Sequence, residues 1–117
     1  MNIEDFYAYC LHKKGTTEHF PFDQNTLVFK VGGKIFALTD ISEFKSINLK
    51  CNPEKAIILR EQFSGIQPGF HMNKKHWNTI RFFDDVDDNL IRDLIDHSYD
   101  LVLLSLSKKT QNEITLG

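Results

Sequence analysis

The sequence predicts an α+β fold, a mostly antiparallel sheet with its helices gathered on one face. Three observations carry this. Apolar residues recur at helical spacing near the start of the chain and again near its end. Gly32–Gly33 divides two strand-like runs, LVFKV and KIFAL, which is the signature of a two-residue hairpin. The strands follow one another through tight turns and short loops, and chains that do so form antiparallel sheets with helices on one side.

With 117 residues, the chain is expected to form one domain, 1–117, large enough for a single core. Hydrophobic residues make up 41% and charged residues 26%, the balance of an ordinary folded chain. Phenylalanine is over-used, 10 copies against 3 Tyr and 1 Trp, and a ring without a polar handle belongs in a core.

Asn2 caps a first helix over Ile3–Lys13, with Glu4 and Asp5 in its first turn and Gly15 as its stop. Its apolar stripe is Ile3, Phe6, Tyr7, Cys10 and Leu11. Thr16–Asn25 reads as loop. In the hairpin that follows, a Gly32–Gly33 turn would pair Val31 with Lys34, Lys30 with Ile35, Phe29 with Phe36, Val28 with Ala37 and Leu27 with Leu38. Paired residues share a face. Leu27, Phe29, Phe36 and Leu38 then form the core side, and Val28, Lys30, Ile35 and Ala37 the other.

SINLKC alternates, with Ile47, Leu49 and Cys51 inward and Ser46, Asn48 and Lys50 outward. Asn52 and Pro53 open a second helix through EKAIILREQF, anchored by Ile57, Ile58 and Phe63 and closed by Gly65. WNTIRFF (77–83) is a strand with Ile80 and Phe82 inward and Trp77, Thr79 and Arg81 outward. DDVDD then leads into a helix over about 88–106, and KKTQNEITLG extends as a short helix or frays.

Formal charge is −2 and the pI near 6.2, so only a local basic patch could serve a phosphate backbone. Cys10 and Cys51 sit at inward positions, without CxxC spacing, and are expected to be inert core thiols in a reducing cytoplasm. No secretory signal and no membrane span is recognisable, so a cytoplasmic protein without membrane contact is expected.

An opening YC, then PF, V-GGKIFA, SINLKCNPE, HMNKKHWN and IDHSYDLV follow in that order. Together they resemble the MmcQ/YjbR family over nearly the whole chain. The resemblance implies a CyaY/frataxin-like fold with a double-wing motif and DNA binding, and it brings no catalytic residues and no cofactor.

HMNKKHWN concentrates the chemistry. His71 and His76 are five apart, outside the helical spacing of HExxH, and no third ligand is near in sequence, so neither a metal nor a cofactor is expected. As turn chemistry, His71, Asn73, His76 and Asn78 lock the segment before the strand, with Trp77 packing beside them. As a phosphate-contacting surface, Lys74, Lys75 and Arg81 supply charge and Trp77 a stacking ring.

The stretch 84–100 holds seven aspartates and one arginine but fails the EF-hand spacing at its sixth and twelfth positions, leaving N-terminal capping as its role. His97, Ser98, Tyr99 and Asp100 are consecutive on a helix and cannot converge as a triad. Tyr99 and Ser98 are expected to pack and to bond back along the helix. Two functional expectations remain, neither enzymatic. One is binding of DNA or another nucleic acid through Lys74, Lys75, Trp77, Arg81, Lys30 and Lys50. The other is a protein partner docked on an open sheet face centred on Val28, Ile35, Ala37 and Trp77.

Overall fold

Asn2 opens the first helix as the sequence demands, its side-chain oxygen accepting a hydrogen bond from Asp5 N at 2.8 Å. In the computed structural model, which describes residues 1–82 and 84–117, that helix (α1) spans Ile3–Leu11. It is followed by β1 Thr16–His19, β2 Thr26–Val31, β3 Lys34–Asp40, β4 Ser46–Lys50, α2 Pro53–Gln62, β5 Ile66–Pro68, β6 Trp77–Arg81, α3 Asp88–Ser105 and α4 Lys108–Leu116. Phe83, placed by the sequence at the end of the last strand, lies outside the described residues.

The six strands form one sheet in the order β1-β2-β3-β4-β6-β5, and every neighbouring pair is antiparallel. The fold class is therefore α+β. Both edge strands escape the sequence reading. β1, TTEH, is almost wholly exposed and shows no apolar alternation, and β5 is three residues long with a proline that only an edge tolerates.

Phe6 and Cys10 of α1, Ala56 and Leu59 of α2, and Ile91, Leu94, Ile95, Tyr99 and Val102 of α3 join the inward residues of the sheet in one apolar cluster. These three helices thus cover the same face. Phe6 meets Phe29 edge-on at 5.7 Å, and Tyr99 meets Phe36 at 5.4 Å.

The hairpin departs from the expected register. Val31–Lys34 and Lys30–Ile35 pair as the Gly-Gly turn requires, but Phe29 then pairs with Ala37, Val28 with Leu38 and Leu27 with Thr39. Phe36 is the extra residue of a β-bulge, so Phe36 and Ala37 both enter the core. Ala37 and Leu38 accordingly exchange the faces expected of them, because the bulge flips the alternation beyond it. Gly32, at φ 58°, also lets Leu106 lie against the turn: a Cβ there would stand 2.4 Å from Leu106 Cδ1.

α2 is rotated from expectation. Ala56 and Leu59 are its buried residues, whereas Ile57 and Ile58 are exposed and Phe63 is half-buried. Its phase is set by Asn52, whose side chain accepts from Glu54 N and Lys55 N, and by Arg60, which must reach the start of β6. Gly65 does not cap this helix, which ends on an extended Phe63. It permits a close approach instead: Asp85 Oδ1 accepts from its N–H at 2.8 Å, and a Cβ would crowd Asp84 and Asp85. That hydrogen bond is the main reason the Asp85 carboxyl titrates below its ordinary range.

The consecutive residues His97, Ser98 and Tyr99 of α3 reach three different segments. His97 Nε2 accepts from Asn52 N at 3.1 Å, and Tyr99 Oη donates to Lys14 O at 2.5 Å. Ser98 does not bond back along its own helix as expected. Its hydroxyl donates to Phe36 O and accepts from Lys50 N. The motif is a set of struts, each pointing about a third of a turn from the last.

Burial, and secondarily the nearby Lys55, lowers the His97 pKa below 6.5, against an opposing pull from Asp100. The unfolded chain therefore takes up this proton first as pH falls. The histidine's contribution is fully present above about pH 6.5 and is lost as pH drops below it toward the folded pKa. Urea midpoints measured across this range should fall with pH in the wild type and fall less in His97→Gln. Equal slopes would show that His97 carries no linkage.

Candidate nucleic-acid interface on the open sheet face

The sheet residues that point away from the helices follow from the strand register. At one level Lys30 pairs with Ile35 on β2 and β3, and Lys50 pairs with Trp77 on β4 and β6. This level lies just beyond the Phe29, Ala37, Leu49 and Asn78 pairings, which face inward. The pairs Lys30–Ile35 and Lys50–Trp77 therefore lie at one level on the same face, beyond the last β3–β4 pair, Ala37–Leu49, and all four residues are half-buried.

The next outward row runs Val28, Leu38, Asn48 and Thr79, and the one after holds Asp40, Ser46 and Arg81. Thr79 Oγ1 donates to Asn48 Oδ1, a polar tie across the face. Val28 is fully buried and Leu38 nearly so, although both are outward in register.

The segment before β6 is built by hydrogen bonds that the sequence only partly announces. Asn73 does the expected turn work: its side chain accepts from Lys75 N at 2.9 Å and its carbonyl from Trp77 N at 3.0 Å. Asn78 is buried, and its Oδ1 accepts from Arg60 Nε at 2.7 Å. His76 contributes through its backbone carbonyl, which accepts from Cys51 N. His71 does not lock the loop through packing in the interior. It is exposed, its φ is 59°, and its ring stands 4.0 Å from that of Phe70.

Arg60 is a residue that the sequence pattern does not reveal as part of the site. It holds the segment from α2, donating to Asn78 Oδ1 and to the carbonyls of Lys74 and Trp77. A lone arginine in a helical run carries no local sign of such a role, since its acceptors lie 14 to 18 residues onward.

Of the six expected contact residues, the structure brings Lys30, Lys50 and Trp77 to one level of that face, with Arg81 exposed farther along β6 and Lys75 exposed in the loop. Lys74 stands apart: its ammonium donates to Gly69 O at 2.9 Å and closes the loop on itself. The aspartates of α3 lie on the other side of the sheet, because Ile91, Leu94, Ile95 and Val102 hold that helix against the inward face. Asp87 caps α3 through Leu90 N.

Both thiols are buried, and burial raises the pKa of each, so neither is a ready nucleophile. Among the described residues no group of three or more His, Cys, Asp or Glu side chains could hold a metal ion, and no helix is long and apolar enough to cross a membrane.

Known proteins are similar to this chain in sequence and architecture. The YjbR family model matches residues 11–101. YbdF of Escherichia coli O157:H7 is 39% identical over 99 residues, covering 84% of this chain and 81% of that protein. YjbR of Escherichia coli K12 is 33% identical over 100 residues, 85% of each. A Deinococcus radiodurans crystal structure with a DUF419 domain superposes with a TM-score of 0.91 at 36% identity, over 97% of this chain and 88% of that one. A Pseudomonas syringae crystal structure gives 0.74 at 32% identity, over 87% of this chain and 99% of that one. The family-model match and these identities over most of the chain's length settle the kinship: the chain belongs to the YjbR family.

Proposed function

We propose that this chain is a non-enzymatic nucleic-acid-binding domain that contacts its ligand through the open sheet face and the loop before β6. One observation carries the reading: Lys30, Lys50 and Trp77 lie half-buried at one level of the face turned away from the helices, with Lys75 exposed in the loop before β6 and Arg81 exposed farther along it, while the acidic helix α3 lies beyond the sheet. This segregation reconciles a net charge of −2 with a locally positive face.

The protein-docking reading loses support from the same geometry. It needs an exposed apolar centre, but Ala37 belongs to the helix-side core and Val28 is fully buried, which leaves only Ile35 and Trp77.

Fluorescence anisotropy with a labelled oligonucleotide over a salt series tests the proposal. With Lys30, Lys50, Lys75 and Arg81 on phosphates, the logarithm of affinity should fall with the logarithm of salt at a slope of about −3, and Lys75→Ala should reduce that slope by roughly one unit. No binding at low salt, or a slope that Lys75→Ala leaves unchanged, would remove the proposal.

A further inference from the structure

We propose that the ligand of this face is single-stranded nucleic acid and that Phe70, together with Trp77, is its stacking platform; the inference rests on the nucleic-acid reading above and names the class of strand. Phe70 is 67% exposed and lies outside the apolar cluster, so its ring does nothing for the core. The backbone beneath it is nevertheless fixed. Phe70 N donates to Thr79 Oγ1 at 2.9 Å, and Thr79 is an outward residue of β6 tied in turn to Asn48. After Gly69 the chain is thus drawn to the open face.

Gly69 N donates to Trp77 O at 2.8 Å, and a Cβ at Gly69 would stand 2.8 Å from Trp77 Cβ, so glycine lets the two backbones nearly touch. Phe70 and Trp77 consequently leave the backbone from neighbouring points. Beside Phe70, His71 holds a left-handed φ of 59° that a non-glycine residue adopts at a cost. The left-handed histidine costs stability, and it stands with the exposed phenylalanine in the loop that leads into β6.

Ring faces are of use to a nucleic acid only where its bases are unstacked, because in a duplex each base already lies between its neighbours. Every base has a π-face, so such a platform tolerates any sequence. A sheet face offers no protruding helix or ribbon to enter a major groove roughly 12 Å wide. Lys50 beside Trp77, and Lys75 two residues before it, are placed to follow the phosphates of a strand whose bases rest on these rings.

The test uses the full chain and three labelled probes of roughly twelve units, oligo-dT, oligo-rU and a DNA duplex. Single strands should bind at least tenfold more tightly than the duplex. Tighter binding of either oligo-dT or oligo-rU than of the duplex supports the proposal. Phe70→Ala, at an exposed position and so compatible with folding, should cost roughly tenfold on the single strands while leaving the salt slope intact. Phe70→Tyr should restore the affinity. Duplex binding as tight as single-strand binding, or a Phe70→Ala variant with wild-type affinity, overturns this inference alone. Failure of all three probes to bind overturns the underlying nucleic-acid reading, and this inference with it.

Discussion

Replacing Ser98 by alanine should lower the unfolding free energy by about 3 kcal/mol, because it strands two backbone groups at about 1–3 kcal/mol each. Ser98 is fully buried, and its hydroxyl donates to Phe36 O and accepts from Lys50 N. Phe36 is the bulged residue of β3, and a bulge interrupts the ladder where it sits. The hydroxyl sits between a β4 amide and a β3 carbonyl just beyond the Ala37–Leu49 pair and bridges them. Alanine fits the space but supplies neither donor nor acceptor, and α3 leaves little room for water. Urea denaturation would measure the loss. Ser105→Ala, which removes only a bond back to Val102 O on the same helix, is the control and should change stability by about 0.5 kcal/mol or less. Equal losses in the two variants would refute the bridging role.

Arg60→Ala should cost about 2–3 kcal/mol, from hydrogen bonds made by a charged donor and from the buried Asn78 oxygen left without its partner. The larger consequence is local. The guanidinium spans Asn78, the Lys74 carbonyl and the Trp77 carbonyl, so it joins α2 to both ends of the segment that presents Lys75 and Trp77. Without it, amide hydrogens from 73 to 77 should exchange faster while those of β2 and β3 keep their protection. Arg60→Lys should recover little, since one ammonium cannot reproduce a planar fork on three acceptors. Unchanged exchange in the loop of Arg60→Ala would show that Asn73, Lys74 and Gly69 hold the segment without it.

The two variants separate what sequence pattern reveals from what it hides. Asn2, Asn52 and Pro53 mark helix starts by local chemistry, and the structure places those starts where these residues put them. The Gly32–Gly33 turn and the alternation of SINLK are equally local and equally visible. The bulge at Phe36 is not, because KIFAL reads as a regular strand and only the packing of Tyr99 and Ser98 against Phe36 makes an extra inward residue favourable. The phase of α2 fails for a related reason. Ile57 and Ile58 are its bulkiest apolar residues, but the entry at Asn52 and the reach of Arg60 turn the smaller Ala56 inward.

For the candidate site, residue type together with strand alternation singles out Lys30, Lys50, Lys74, Lys75, Trp77 and Arg81. Register then grouped Lys30, Lys50 and Trp77, and a single hydrogen bond to Gly69 withdrew Lys74. Phe70 read as one more core ring among ten phenylalanines, and its exposure emerges only once Thr79 is seen to hold its backbone on the open face.

By itself the sequence determined the fold class, the capped helix starts, the hairpin turn and the family, since these depend on contacts within a few residues or on a pattern preserved along the chain. Only the tertiary structure decided the bulged register, the edge strands, the rotation of α2 and the company each cation keeps. Those depend on partners tens of residues away, whose burial and hydrogen bonding outweigh local preference.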